Sequence, residues 1–104
     1  MVEELHSGLH DLKKRVVRMG NLSQSMLKKS VKSLKEQDKE LAKEVLDCKN
    51  EIARLDDEIE QDALKLITLF APMAKDMRQI ATILKLITYL ARIGRYGKDI
   101  ANIT

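Results

Sequence analysis

Tryptophan is absent from this 104-residue chain, and there is one cysteine, one proline, one phenylalanine and only four glycines. Each shortage removes a class of protein. A sheet protein of this size needs turn residues every ten positions or so; their scarcity argues against all-β and α/β architectures and in favour of long helices. Cys48 alone cannot build a disulfide framework, nor a cysteine-based zinc cluster within one chain. The longest apolar stretch, Ile80 to Ala91, is interrupted by Lys85 and is too short to span a bilayer, so no membrane insertion is expected. The opening Met1-Val2-Glu3-Glu4 runs straight into charge without the apolar segment of a secretory leader. The expectation is a soluble, cytoplasmic protein. No Gly-rich phosphate loop, Gly-x-Ser-x-Gly or His-Glu-x-x-His occurs, so the reading is of a non-enzyme with no catalytic residue and no cofactor.

What the chain does have is charge and helical periodicity. Hydrophobic residues make up 44% and charged residues 34%, for a net charge of +3. The charge is unevenly spread. Residues 1–36 are basic, residues 37–70 acidic and residues 71–104 basic again. Mutual neutralisation of neighbouring helices is the simpler reading of that order. Basic tracts such as Lys13-Lys14-Arg15 lack interleaved aromatics, so nucleic acid is not expected as a partner.

Apolar residues recur at steps of three and four throughout. Leu5, Leu9, Leu12, Val16 and Met19 begin one stripe, continued less strictly by Leu22, Met26, Val31 and Leu34. A second runs through Leu41, Val45, Cys48, Ile52, Leu55, Ile59, Ala63, Leu66 and Phe70. A third comprises Met73, Met77, Ile80, Leu84, Ile87, Ala91 and Gly94. Asp38 is a good N-cap between the first two, and Pro72 suits the start of a new helix between the second and third. The spacing therefore predicts helices at about 3–36, 39–70 and 73–103, each roughly 45–50 Å long. Short connections make neighbours antiparallel, giving an all-α, up-down-up three-helix bundle over residues 1–104 as a single domain. Gly20, within the first helix, is expected to let another helix approach closely.

The third helix carries more apolar surface than one bundle face needs. An interaction surface of Ile83, Leu86, Leu90, Ile93, Gly94, Gly97 and Ile100 is expected, covered by a second copy in a homodimer or by a second repeat. The alternative is a wide stripe on a centrally packed helix. Among other candidates, His6 and His10 stand one turn apart with Glu3 one turn before. They have metal-ligand spacing, but solvent-exposed histidines are the favoured reading. Cys48 reads as a small hydrophobe. Asp76, flanked by Lys75 and Arg78, reads as an acid in the first turn of its helix, with a partner anchor as the alternative. The acids Asp56, Asp57, Glu58, Glu60 and Asp62 read as a solvated face available to basic neighbours.

Several stretches resemble the PhoU family of phosphate-uptake regulators. Gln61-Asp62-Ala63-Leu64 through Pro72-Met73-Ala74-Lys75-Asp76-Met77-Arg78 is similar to the family's second helical junction, commonly Pro-Val-Ala-Lys-Asp-Leu-Arg. Ala81-Thr82-Ile83-Leu84-Lys85 follows, and Leu90-Ala91-Arg92-Ile93-Gly94 resembles Leu-Glu-Arg-Ile-Gly. Upstream, Leu9 to Gly20 and Gln37-Asp38-Lys39-Glu40-Leu41-Ala42 resemble the family's first helix and first turn. The resemblance implies three-helix repeats, usually two per chain, and so implies that this chain is one repeat of a longer protein. It also implies control of phosphate uptake and phosphate-responsive signalling through contacts with a phosphate transporter and a sensor kinase. Membrane association would then be peripheral, through such a partner. A metal- or anion-binding sensor or storage protein, and a generic helical scaffold, are the alternative functions.

Many members of that family hold iron or zinc clusters through acidic pairs four residues apart, a spacing that puts both carboxylates on one helix face. The corresponding positions here are Lys49 and Ala53, and Ala91 and Arg95. All four acids are replaced, two of them by cations. The resemblance therefore implies no metal at these positions.

Overall fold

The computed structural model describes residues 2–104, which form helices joined by short turns. They are α1 (Val2–Glu36), α2 (Lys39–Asp47), α3 (Lys49–Phe70) and α4 (Ala74–Ile103). At ~1.5 Å per residue, α1 alone is ~52 Å long, and the molecule measures 53 × 18 × 15 Å. It is an all-α bundle in the expected up-down-up order, with one difference. The second long helix divides at Cys48, whose amide bonds back to the Val45 carbonyl at 3.1 Å before Ile52 resumes the regular pattern by bonding to the Cys48 carbonyl at 3.2 Å. A three-residue spacing tightens the backbone at that one point.

The turns follow from local chemistry. At the end of α1, Gln37 takes a left-handed φ of 54°. Its amide bonds to the Leu34 carbonyl, and the Asp38 amide reaches the Ser33 carbonyl at 2.9 Å. These crossed bonds satisfy carbonyls that the last helical turn leaves free. Asp38 then caps α2, as expected, its Oδ1 accepting from the Leu41 amide at 3.0 Å. The α3 end uses Ala71 in the left-handed region, with Pro72 following to stop the helix.

The core runs the length of the bundle. Leu12, Met19, Met26, Leu55, Ile59, Ile80 and Ile87 are fully buried within it. Past Met19 the inner face of α1 departs from the expected stripe. Ser23, Met26, Ser30 and Ser33 are buried, whereas Val31 and Leu34 are exposed. The steps of four, three, four and three simply continue onto serines. Each buried hydroxyl is satisfied by a carbonyl three residues back, Ser33 to Ser30 at 2.7 Å for instance.

A glycine on α4 lets α1 approach closely. The two helices run parallel, as first and third members of the order must. Contacts between His6 and Asp76, Gly20 and Leu90, and Ser33 and Thr104 keep a nearly constant offset along their length. The approach is tight at Gly97. A Cβ there would lie 3.1 Å from the Met26 carbonyl carbon and oxygen. Gly20 does not have the expected role, because a Cβ at that position would meet only Leu90 methyls at an ordinary 3.8 Å.

Candidate functional site

Antiparallel packing of α3 on α4 sets Ile52 against Gly94, where a Cβ would come within 3.3 Å of an isoleucine methyl. The same register gathers the surrounding residues into a cavity of about 330 Å³. Lys49, Asn50, Ala53 and Asp56 line it from α3, Ala91, Arg95 and Lys98 from α4, and Met26 closes the floor from α1. All four positions singled out for their replaced acids, Lys49, Ala53, Ala91 and Arg95, therefore face one space.

The electrostatics of this space are uneven. Three cations stand around it, and among the described residues none of them forms an ion pair. The expected neutralisation is confined to the other side of α3. There Arg15 bonds Asp62 at 2.8 Å and Arg18 bonds Glu51 at 2.7 Å, both from α1. Glu51 is also held by Arg54, whose guanidinium bond keeps that carboxyl below its ordinary value. Asp56 behaves oppositely. Partial burial pushes its carboxyl up, and the neighbouring charges of Glu60 and Asp57 push in the same direction. It is not part of a wholly solvated acidic face but lines the cavity.

Other sequence candidates fall elsewhere. His6 Nε2 lies 3.4 Å from Asp76 Oδ2, linking α1 to the first turn of α4. Glu3, His6 and His10 do not form a metal cluster: among the described residues no group of three or more His, Cys, Asp or Glu side chains is placed to hold an ion. Cys48 is half-buried against the core.

The expected outward face of α4 is largely internal. Ile83, Gly94 and Gly97 are buried, and Leu90 packs beside the core. Ile93 and Ile100 are half-buried, leaving Leu86 as the exposed large aliphatic of the set. The physical reason is that α4 contacts both α1 and α3, so its buried stripe is wide: Leu90 and Gly97 meet α1 while Gly94 meets Ile52. What does face solvent is a groove of about 520 Å³ between α1 and α4. Val16, Val17, Ile83 and Leu86 form its apolar surface, and Lys13, Lys75 and Arg78 its basic edge.

A family model described as the PhoU domain matches residues 16–104. The chain belongs to the PhoU family. Curated relatives include a phosphate-specific transport system accessory protein PhoU homolog from Aquifex aeolicus, 34% identical over 94% of this chain and 44% of the relative. A Synechocystis PhoU homolog is 36% identical over 85% of this chain and 39% of its own length. PhoU homolog 1 of Thermotoga maritima is 36% identical over 97% and 44% respectively. This PhoU chain thus spans less than half the length of these relatives.

The metal that the PhoU resemblance brings to mind does not fit these residues. A methyl group at Ala53 or Ala91 cannot ligate, and Lys49 and Arg95 oppose a bound cation. Asp56 is the one carboxylate lining the cavity. A single carboxylate beside three cations is a poor set of donors for iron or zinc. Asn50 and Lys98 were not singled out from sequence, and Asp56 was read there only as part of a solvated acidic face. The signal was nevertheless available: Asp56 lies one turn past Ala53, and Lys98 one turn past Arg95, each extending a face already identified.

Proposed function

We propose that this chain is a regulatory domain in the control of phosphate uptake and phosphate-responsive signalling, acting through helical surface rather than catalysis. The observation that carries this reading is the α1–α4 groove, with its apolar surface and basic edge at Lys13, Lys75 and Arg78. Such a groove suits an amphipathic segment with acidic flanks on a transporter component or a sensor kinase. The relatives' designation as accessory proteins of a phosphate-specific transport system supports the same assignment. Among the described residues no helix is long and apolar enough to cross a membrane. The proposed place of action is the cytoplasmic side, with membrane contact made through the partner.

Affinity capture from cells grown with plentiful and with scarce phosphate tests this reading. The expected result is a transporter subunit or kinase retained in a phosphate-dependent manner and lost with Val17→Glu or Leu86→Glu. Equal capture by wild type and both variants would reject the groove as the docking surface.

A companion repeat, or a second copy of this chain, is a further occupant we assign to the exterior of the bundle. Its support is the length of the relatives, which leaves room for another unit of similar size. Light scattering should then give about 24 kDa, twice the 11.9 kDa of one chain. A value near a single chain's mass at high concentration rejects self-association.

A further inference from the structure

We infer that the α3–α4 cavity is an anion site, and that its ligand is inorganic phosphate held by Lys49, Arg95 and Lys98. This inference rests on the lining of the cavity and not on the regulatory reading above. The first argument is charge. Three cations around one small concavity repel one another, and no ion pair relieves them among the described residues. An oxyanion among them relieves that repulsion and accepts charge-assisted hydrogen bonds from all three. Arg95 can offer two parallel donors, and the lysines act as point charges. The Asn50 side-chain amide adds a neutral donor.

The second argument is Asp56, which selects among anions. A carboxylate facing a fully deprotonated oxyanion such as sulfate is repelled by it. Hydrogenphosphate differs because it keeps a proton at neutral pH, and its P–OH can donate to an Asp56 oxygen while its other oxygens accept from the cations. The same carboxylate that disfavours sulfate thus becomes a partner for phosphate. A lining of cations alone would not discriminate in this way.

The test is a titration of the isotope-labelled chain with inorganic phosphate, followed by backbone amide resonances at constant ionic strength. Saturable shifts are expected at residues 49–52 and 91–98. Sulfate should bind more weakly than phosphate. Arg95→Gln and Lys98→Gln should each weaken phosphate about tenfold, the usual scale for losing one charge-assisted contact. Lys13→Gln, with the same charge change on the groove side, should leave binding intact. Asp56→Asn should strengthen sulfate and narrow the preference, an effect that general loss of folding cannot mimic.

Absence of saturable shifts up to about 50 mM phosphate, far weaker than ordinary metabolite affinities, overturns the proposal. So do shifts spread evenly over the basic face of α1, or equal binding of phosphate and sulfate by the wild type. Manganese alone, if it broadens the cavity resonances, restores the metal reading and also overturns it. A phosphomonoester that outcompetes inorganic phosphate would move the ligand onto a larger molecule and reject the free ion. Failure here leaves capture of a transporter or kinase unaffected, so the two readings fail separately.

Discussion

Gly20 and Gly97 both lie at the α1–α4 contact, yet they should respond oppositely to a methyl group. At Gly20 the new Cβ meets only flexible Leu90 methyls at 3.8 Å. Gly20→Ala should therefore stabilise the fold by roughly 0.5–1 kcal/mol through helix propensity. At Gly97 the obstacle is Met26 backbone at 3.1 Å, which has no rotamer to retreat into. Gly97→Ala should cost about 1–3 kcal/mol as an overpacked contact. Urea unfolding of the two variants checks both signs. Asp56 offers a third test at this scale. Its folded carboxyl is raised above the ordinary 3.8, chiefly by burial, so the folded state holds that proton more tightly than the unfolded chain. The penalty for ionising it is absent below about pH 3.8 and develops as pH rises through the folded value. Asp56→Asn should accordingly gain stability at neutral pH, by less than about 1 kcal/mol because the group keeps much of its water, and lose that advantage in acid. Denaturation of both proteins across pH 3 to 7 checks it; a constant difference throughout would contradict the assignment.

Whole helices are governed by their ends as much as by their stripes. Asp38 closes α1 and opens α2, since its amide reaches Ser33 while its carboxylate receives Leu41. Asp38→Ala should cost about 1 kcal/mol, the ordinary value of an N-cap. Ala71 ends α3 with φ of 41° and ψ of 57°, a conformation that disfavours any Cβ. Ala71→Gly should recover about 0.5–1 kcal/mol. Thermal unfolding reads both, with the two transitions expected to move in opposite directions. Much of this level was legible in sequence: the three-four spacing fixed the long helices, and Asp38 and Pro72 marked the turns. The C-terminal half of α1 was not, because a search for apolar letters followed Val31 and Leu34 while Ser30 and Ser33 held the inner positions. Serine enters a core only when its hydroxyl finds a carbonyl, and sequence spacing does not reveal that bond. The tightening at Cys48 was likewise invisible, since nothing about that residue marks a three-residue step.

Charge and helix order act at the scale of the molecule. The acidic middle third pairs with α1 through Arg15 and Arg18, whereas the cations of α4 beside the cavity form no ion pair with α3 among the described residues. Net charge by thirds anticipated neutralisation but not its one-sidedness, which depends on how α3 is rotated about its axis. The convergence of Lys49, Ala53, Ala91 and Arg95 was legible only by resemblance. Their actual meeting, and the inclusion of Asp56 and Lys98, follow from the register that puts Ile52 on Gly94. The outward face expected on α4 failed for the same reason: helix order put α4 against both α1 and α3.

The parallel run of α1 beside α4 also sets how the molecule bears load. Residue 2 and residue 104 lie at opposite ends of a 53 Å body, and Ser33 sits beside Thr104 at the far end. Tension applied through those two ends draws α1 and α4 along their shared seam in shear, so contacts from His6–Asp76 to Ser33–Thr104 are strained together. Tension applied between residue 37 and residue 104, anchored at the same end, instead peels the seam open one contact at a time. Forced unfolding follows the rate of crossing the unfolding barrier, and that barrier should be higher when the whole seam must slip at once. Optical-tweezer measurements should find a clearly larger rupture force for the end-to-end attachment; equal forces would mean that the seam does not bear the load.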